Sequence, residues 1–291
     1  MKLAADREEE IVDLAEGVAE AYCPESKVNP ELIAAENGIT VIHDHFDDAF
    51  DGMLEYCQEE FFIYSNLDRV DVCGSVRDRF TIGHELGHFY IDEHRRALQS
   101  GKVSSHRSFC EQFEGGSLVE QEADLFAASL LMPPSRFEAE QRRAPTGLAG
   151  ILRLQEIFGA SVTSTCVQYV RKSPFPCAMI RWSPTAFEWR IVSSPAWRLG
   201  FRWTINQGER VPADSATGRA FAGMAEKGIT FNRSVSTTAF WFQNVVMGGQ
   251  RDLLLHEEAM QLGRYGALTL LYPHSSSEKA FAELLQVAAR P

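Results

Sequence analysis

The segment His84-Glu85-Leu86-Gly87-His88 sets two imidazoles four residues apart around a carboxylate. At 3.6 residues per turn the histidines stack on one face of a helix, where their ring nitrogens can share one tetrahedral metal ion. Glu85, next along the helix, can reach a water activated by that ion and act as general base. These residue types at this spacing point to hydrolysis. The plainer alternative is an amphipathic helix whose histidines pair with carboxylates. Phe80, Thr81 and Ile82 before the motif and Phe89, Tyr90 and Ile91 after it weigh against that alternative, because unpaired imidazoles are costly in an apolar segment. Leu86 adds a core contact and Gly87 a point of close packing.

A catalytic zinc needs a third protein ligand and one position left open. Residues 120–132 read as a helix of strong formers, stopped by Pro133-Pro134. Glu120 and Asp124 share one face of it at i, i+4, with the small Ala123 and Ala127 beside them, so another helix can approach closely. Glu120 is favoured as the third ligand, and Asp124 is placed to hydrogen-bond a ligating imidazole. Glu122 lies about 200° round the helix from Glu120 and reads as a solvated charge. Among groups that could support an oxyanion, Tyr90 reads as a core aromatic, His94 as a solvated helix end, and His106 as part of a Ser-rich loop that could swing over the site. His43 and His45 flank Asp44 and could bind a metal as a pair, although an exposed polar turn is the simpler reading.

FTIGHELGH at 80–88, followed by EQEADLFAASLLMP at 120–133, resembles the ImmA/IrrE family of intracellular metallopeptidases. The approach through Asp51-Gly52, Phe61-Phe62-Ile63-Tyr64-Ser65-Asn66 and Arg77-Asp78-Arg79-Phe80 is similar too, so the resemblance spans residues 5–140. It implies zinc held by His84, His88 and Glu120, with Glu85 as base. The chain as a whole resembles the family's radiation-response members, which implies cleavage of an XRE-type helix-turn-helix repressor to switch on a stress or DNA-damage response. Sites of the His2Glu type also accept Mn2+, depending on availability. Two departures stand out. Gly83 replaces the alanine of many relatives, with no chemical consequence expected, and a polar insertion at 99–116 alters the local substrate contacts.

With 291 residues, 45% hydrophobic and 23% charged, the chain has the composition of a globular protein of two or three domains. No run of eighteen apolar residues and no apolar leader follows Met1, so no membrane role and a cytoplasmic location are expected. The six cysteines, Cys23, Cys57, Cys73, Cys110, Cys166 and Cys177, form no CxxC pair and read as reduced thiols packed as small hydrophobes. Of the net charge of −12, residues 1–95 carry 7 basic against 23 acidic side chains, a balance of −16 that leaves +4 for the rest. Such a field repels nucleic acid and favours a basic protein partner such as a DNA-binding repressor, although a solubilising surface gives the same balance.

Apolar spacing predicts helices over 8–22 and 30–36, then strands near 39–42, 53–56 and 60–65: helices on a small sheet with the zinc helix at its edge. This makes residues 1–143 a zinc metallopeptidase domain. Residues 148–158, a turn at Gly159-Ala160-Ser161 and residues 162–170 have a helix-turn-helix layout, placed in a region 144–174. Its second helix lacks Lys or Arg before Arg171, which argues against direct DNA binding. Residues 175–291 mix strands (177–181, 187–192, 240–246, 266–272) with helices (215–225, 278–289), so the chain is α+β throughout. The resemblance implies a GAF-like sensor domain there, able to take a small molecule or other signal. Its tryptophans at 182, 189, 197, 203 and 241 could line a pocket but read mostly as core.

The competing function is a non-catalytic DNA- or protein-binding transcriptional regulator with a structural metal site. Structural zinc is usually closed by four ligands rich in cysteine, and none lies near the HExxH segment. A housekeeping aminopeptidase is a third reading, disfavoured because a sensor-like appendage argues for control.

Overall fold

Apolar residues at helical spacing give α1 (Ala5–Tyr22) one buried face made of Ile11, Ala15, Val18 and Ala19. In this computed structural model the described residues are 3–25, 27–70, 72–101, 117–184, 186–204, 213–222, 231–243 and 252–289, with the backbone alone at 106–108. The chain divides into two units, Met1–Arg142 with Leu154–Ser161, and Arg143–Arg153 with Val162–Pro291.

In the first unit α2 (Pro30–Glu36) begins at Asn29, whose side chain accepts from the Glu31 and Leu32 amides, with Pro30 in the first turn. β1 (Thr40–Asp44), β2 (Gly52–Cys57) and β3 (Glu60–Asn66) follow, as the alternating apolar residues require. Gln58 and Glu59 both take positive φ, 52° and 67°, and close β2 onto β3 as a two-residue hairpin. After α3 (Leu67–Val70) come α4 (Val76–Tyr90), α5 (Asp92–Gln99), β4 (His106–Ser108), α6 (Leu118–Leu131) and α7 (Pro134–Arg143). The sheet order is β1-β3-β2-β4, with β1 parallel to β3 and the other pairs antiparallel. Ile33, Ile39, Leu54, Ile63, Ile82, Leu86, Phe126 and Leu130 meet in one core between sheet and helices.

Helices α4 and α6 meet along a seam of small residues, and its two glycines differ. A Cβ at Gly83 would sit 3.6 Å from the Ala127 Cβ, an ordinary contact. At Gly87 it would sit 3.1 Å from Ala123 Cα and 3.2 Å from Ala123 O, backbone atoms that cannot turn aside. Alanine is therefore expected to act with opposite sign at the two positions. Gly83→Ala should stabilise by about 0.5–1 kcal/mol through helix preference. Gly87→Ala should destabilise by about 1–3 kcal/mol through overpacking. Urea unfolding of both variants checks this, and equal midpoints would remove the seam as a packing constraint.

The second unit contains the start of α8 (Leu148–Phe158), then α9 (Val162–Arg171), β5 (Ala178–Trp182), β6 (Phe187–Val192), α10 (Ser194–Arg198), β7 (Arg202–Trp203), α11 (Ala216–Ala222), β8 (Phe231–Thr237), α12 (Thr238–Trp241), β9 (Phe242–Gln243), β10 (Leu254–Gln261), β11 (Ala267–Pro273) and α13 (Glu278–Ala288). Strands β6-β5-β11-β10-β8 form an antiparallel sheet. Its core includes Ile180, Leu255, Leu271, Phe242 and Phe281. Trp182 and Trp241 are fully buried there, Trp189 and Trp203 half-buried, and Trp197 is 73% exposed.

The architecture is mixed α+β, and no described helix is long and apolar enough to cross a membrane. Two expectations change. The strand expected over 240–246 is the end of α12 followed by the short β9, with 244–246 outside the described residues. Strands β8 and β10 were not expected from their sequences at all.

Candidate metal centre

Helix α4 is capped by Ser75, whose hydroxyl accepts from the Asp78 amide, and it runs through Gly87 before ending at Ile91. Within it His84 is 1% exposed, and Glu85 and His88 are fully buried. Ser117 caps α6 in the same way and sets Glu120 in the first turn. The close seam then brings α6 to the histidine face of α4. His84 Nε2 lies 3.3 Å from a Glu120 oxygen, His88 Nε2 lies 3.6 Å from the other, and the two Nε2 atoms are 3.1 Å apart. Two nitrogens and an oxygen at about 2.05 Å from a tetrahedral ion are separated by about 3.3 Å. The two nitrogens and the two Glu120 oxygens facing them thus lie at the separations expected around one small divalent cation, and one ligand atom from each of the three residues lies within 4.8 Å of the others.

The outer ring nitrogens are engaged as well. His84 Nδ1 meets Asp124 Oδ1 at 2.9 Å. His88 Nδ1 meets His94 Nδ1 at 3.1 Å, and His94 Nε2 meets Glu122 Oε2 at 3.0 Å. Arg7 from α1 donates to both Glu122 oxygens, at 2.9 and 3.0 Å. Burial pushes His94 down, against the pull of Glu122, and favours its neutral form. Burial works to raise Glu122, yet Arg7 and His94 bring it below the usual carboxylate value. With both histidines neutral, His88 Nδ1–H donates to His94 Nδ1 and His94 Nε2–H donates to Glu122, which leaves the His88 Nε2 lone pair directed at the donor cluster.

This arrangement corrects two readings. His94 is not a solvated helix end: it is 8% exposed, because α5 turns back at Ile91 and buries His94 with Leu98 on one face. That i, i+4 pair was the available sequence signal. Glu122 is not a solvated charge either. The far side of α6 is covered by α1 and α5, so the residue that points away from the donors still meets Arg7 and His94. Tyr90 stacks on Phe126 with centroids 5.7 Å apart, as a core aromatic does. The side chains of 102–116, His106 included, lie outside the described residues.

Glu85 is set by the sheet as well as by its own helix. A Cβ on Gly52 of β2 would lie 2.5 Å from Thr81 Cγ2 and 2.7 Å from Glu85 Oε1, so only glycine lets the strand backbone pass this close. The preceding Asp51 is fully buried and bonded by Arg69 at 2.7 Å and Arg77 at 3.2 Å, which anchors the start of the strand.

Burial opposes a charge on His84, but its bonds to Asp124 and Glu120 outweigh burial and raise it to about 10. A metal ligand must be neutral, so a cation displaces that proton. Uptake of Zn2+ should therefore release a proton from His84 at neutral pH, and apparent affinity should rise about tenfold per pH unit below that value. Calorimetry in buffers of different ionisation enthalpy measures the release, and uptake without a proton would contradict the assigned charge state.

Residues 74–168 match the IrrE N-terminal-like domain of peptidase family M78. Among solved structures the chain is similar to a Mycobacterium tuberculosis transcriptional regulator, with a TM-score of 0.53 at 16% identity over 97% of this chain and 84% of that one. At that identity the likeness is one of fold. No curated protein matches the chain.

Proposed function

We propose, of a chain that carries an IrrE N-terminal-like domain of peptidase family M78, that it is a cytosolic metal-dependent endopeptidase that cuts a basic, XRE-type helix-turn-helix repressor. One observation carries the reading: two buried imidazole nitrogens and a carboxylate converge at the spacing of a cation's ligands, with a second carboxylate buried one residue along the same helix. His84, His88 and Glu120 hold the ion, Zn2+ by donor type and Mn2+ where that is more available. A cation bound there supplies Lewis acidity, which lowers the pKa of water and polarises a peptide carbonyl.

Glu85 accepts the proton of the attacking water on its carboxylate and returns it to the leaving amine. Asp124 and His94 fix the tautomers of His84 and His88, so that each Nε2 presents its lone pair. Among the described residues β4 is the outer strand of its sheet and pairs with β2 through Ser108 opposite Gly52, so an extended substrate can add along it near Glu85.

The rest of the chain belongs to the same proposal. Residues 1–143 form the peptidase domain, 144–174 a helix-turn-helix-like region, and 175–291 a GAF-like domain that couples cleavage to a small molecule or stress signal such as DNA damage. Direct DNA binding is not part of it, because α9 carries no Lys or Arg before Arg171.

The test is incubation of the full chain, loaded with Zn2+ or Mn2+, with candidate helix-turn-helix repressors, with and without chelator. Mass analysis should show one repressor cut at a defined bond, with the cut lost on chelation and restored by the ion. Intact repressors throughout would overturn the reading.

A further inference from the structure

At the opposite end of α4 from its histidine pair, four side chains from four segments converge. Glu31 comes from α2, His43 from β1, Cys73 from the turn before α4, and Asp78 from the first turn of α4. His43 Nε2 lies 3.1 and 3.2 Å from the Asp78 oxygens, 3.6 Å from Glu31 Oε1 and 3.6 Å from Cys73 Sγ. Cys73 Sγ lies 3.7 Å from Glu31 Oε1. One ligand atom from each residue falls within 4.8 Å of the others. The pair suggested by the sequence, His43 with His45, does not form: β1 ends at Asp44, and His45 turns away to Asp68 at 2.6 Å.

We propose that Glu31, His43, Cys73 and Asp78 are a second cation site, closed by four protein ligands and suited to Zn2+. The spacing agrees with that ion. With Zn–S near 2.3 Å and Zn–N or Zn–O near 2.05 Å, tetrahedral edges are about 3.6 Å to sulfur and about 3.3 Å between the lighter donors. The contacts to Cys73, at 3.6 and 3.7 Å, and those of His43 to Asp78 and Glu31, at 3.1 to 3.6 Å, bracket those values. The charges agree too. One imidazole proton can serve only one of the acceptors around it, whereas a divalent cation neutralises two carboxylates and a thiolate together.

The donors are held by their surroundings. Asp78 is fully buried and accepts from Gly74 N at 2.7 Å and Ser65 Oγ at 2.5 Å, while Cys73 is exposed and leaves the site a path to solvent. Four ligands including a cysteine leave no vacant position, so this site is structural and ties α2 and β1 to the helix that bears His84 and His88.

Cobalt(II) separates this site from the first, because only this one contains sulfur. The full chain dialysed against Co2+ should bind two ions and show a thiolate-to-cobalt charge-transfer band. Cys73→Ser, a small change at an exposed side chain, should bind one ion and lose the band, and His43→Gln should do the same. A His84→Ala/His88→Ala double variant should bind one ion and keep the band at full intensity, so the result does not depend on the first site. A chain that takes up Co2+ without the thiolate band, or a band that survives Cys73→Ser, would overturn the proposal.

Discussion

Glu85→Gln is expected to keep its metal ion and its fold while cleavage falls on the order of 10²–10⁴-fold, the range for loss of a general base. Glutamine has the shape of glutamate, which matters at a position that is fully buried and closed from one side by the Gly52 backbone. Its amide cannot take a proton from water, whereas His84, His88 and Glu120 are untouched. Cleavage rate and bound metal are to be measured on the same preparation. Undiminished cleavage with metal retained would refute the assignment of the base. If the unmodified chain never cuts while the ion stays bound, the non-catalytic regulator becomes the better account.

His88→Ala is expected to lose one equivalent of metal altogether. Two donors remain, too few for a tight divalent site, and His94 is left facing a gap instead of a ring. His94→Phe keeps the buried volume but removes the acceptor for His88 Nδ1–H. It should weaken the metal by about 10–100-fold, the usual cost of losing an outer partner, without abolishing it. Equilibrium dialysis ranks the three proteins. A metal content unchanged in His88→Ala would remove His88 from the ligand set.

What could be read in advance was what is local. An i, i+4 histidine pair, an i, i+4 carboxylate pair and small residues beside it are periodic along single helices, and α4 and α6 follow that pattern. Asn29 and the proline after it placed α2 correctly for the same reason. The partners that come from elsewhere in the chain were not legible. Nothing near Glu122 announces Arg7, 115 residues away, and nothing near His43 announces Asp78. β10 was missed because Glu257 and Glu258 break any alternation of polar and apolar residues. Both are buried all the same, since the Thr217 amide and Ser234 reach Glu257 while Tyr272, Arg233 and the Leu148 amide reach Glu258.

The line of hydrogen bonds from Arg7 through Glu122 and His94 to His88 joins the protein's surface to the donor cluster. Its outer end is partly in solvent, where Arg7 also meets Glu10 and Glu93. There the guanidinium drains negative charge from Glu122 and so tempers how much electron density the imidazoles pass inward. Removing the guanidinium, as in Arg7→Ala, is expected to leave Glu122 the stronger base and make His88 the richer donor. Metal affinity should then rise in Arg7→Ala without any backbone having to move, and an unchanged affinity would show that the line carries no such effect.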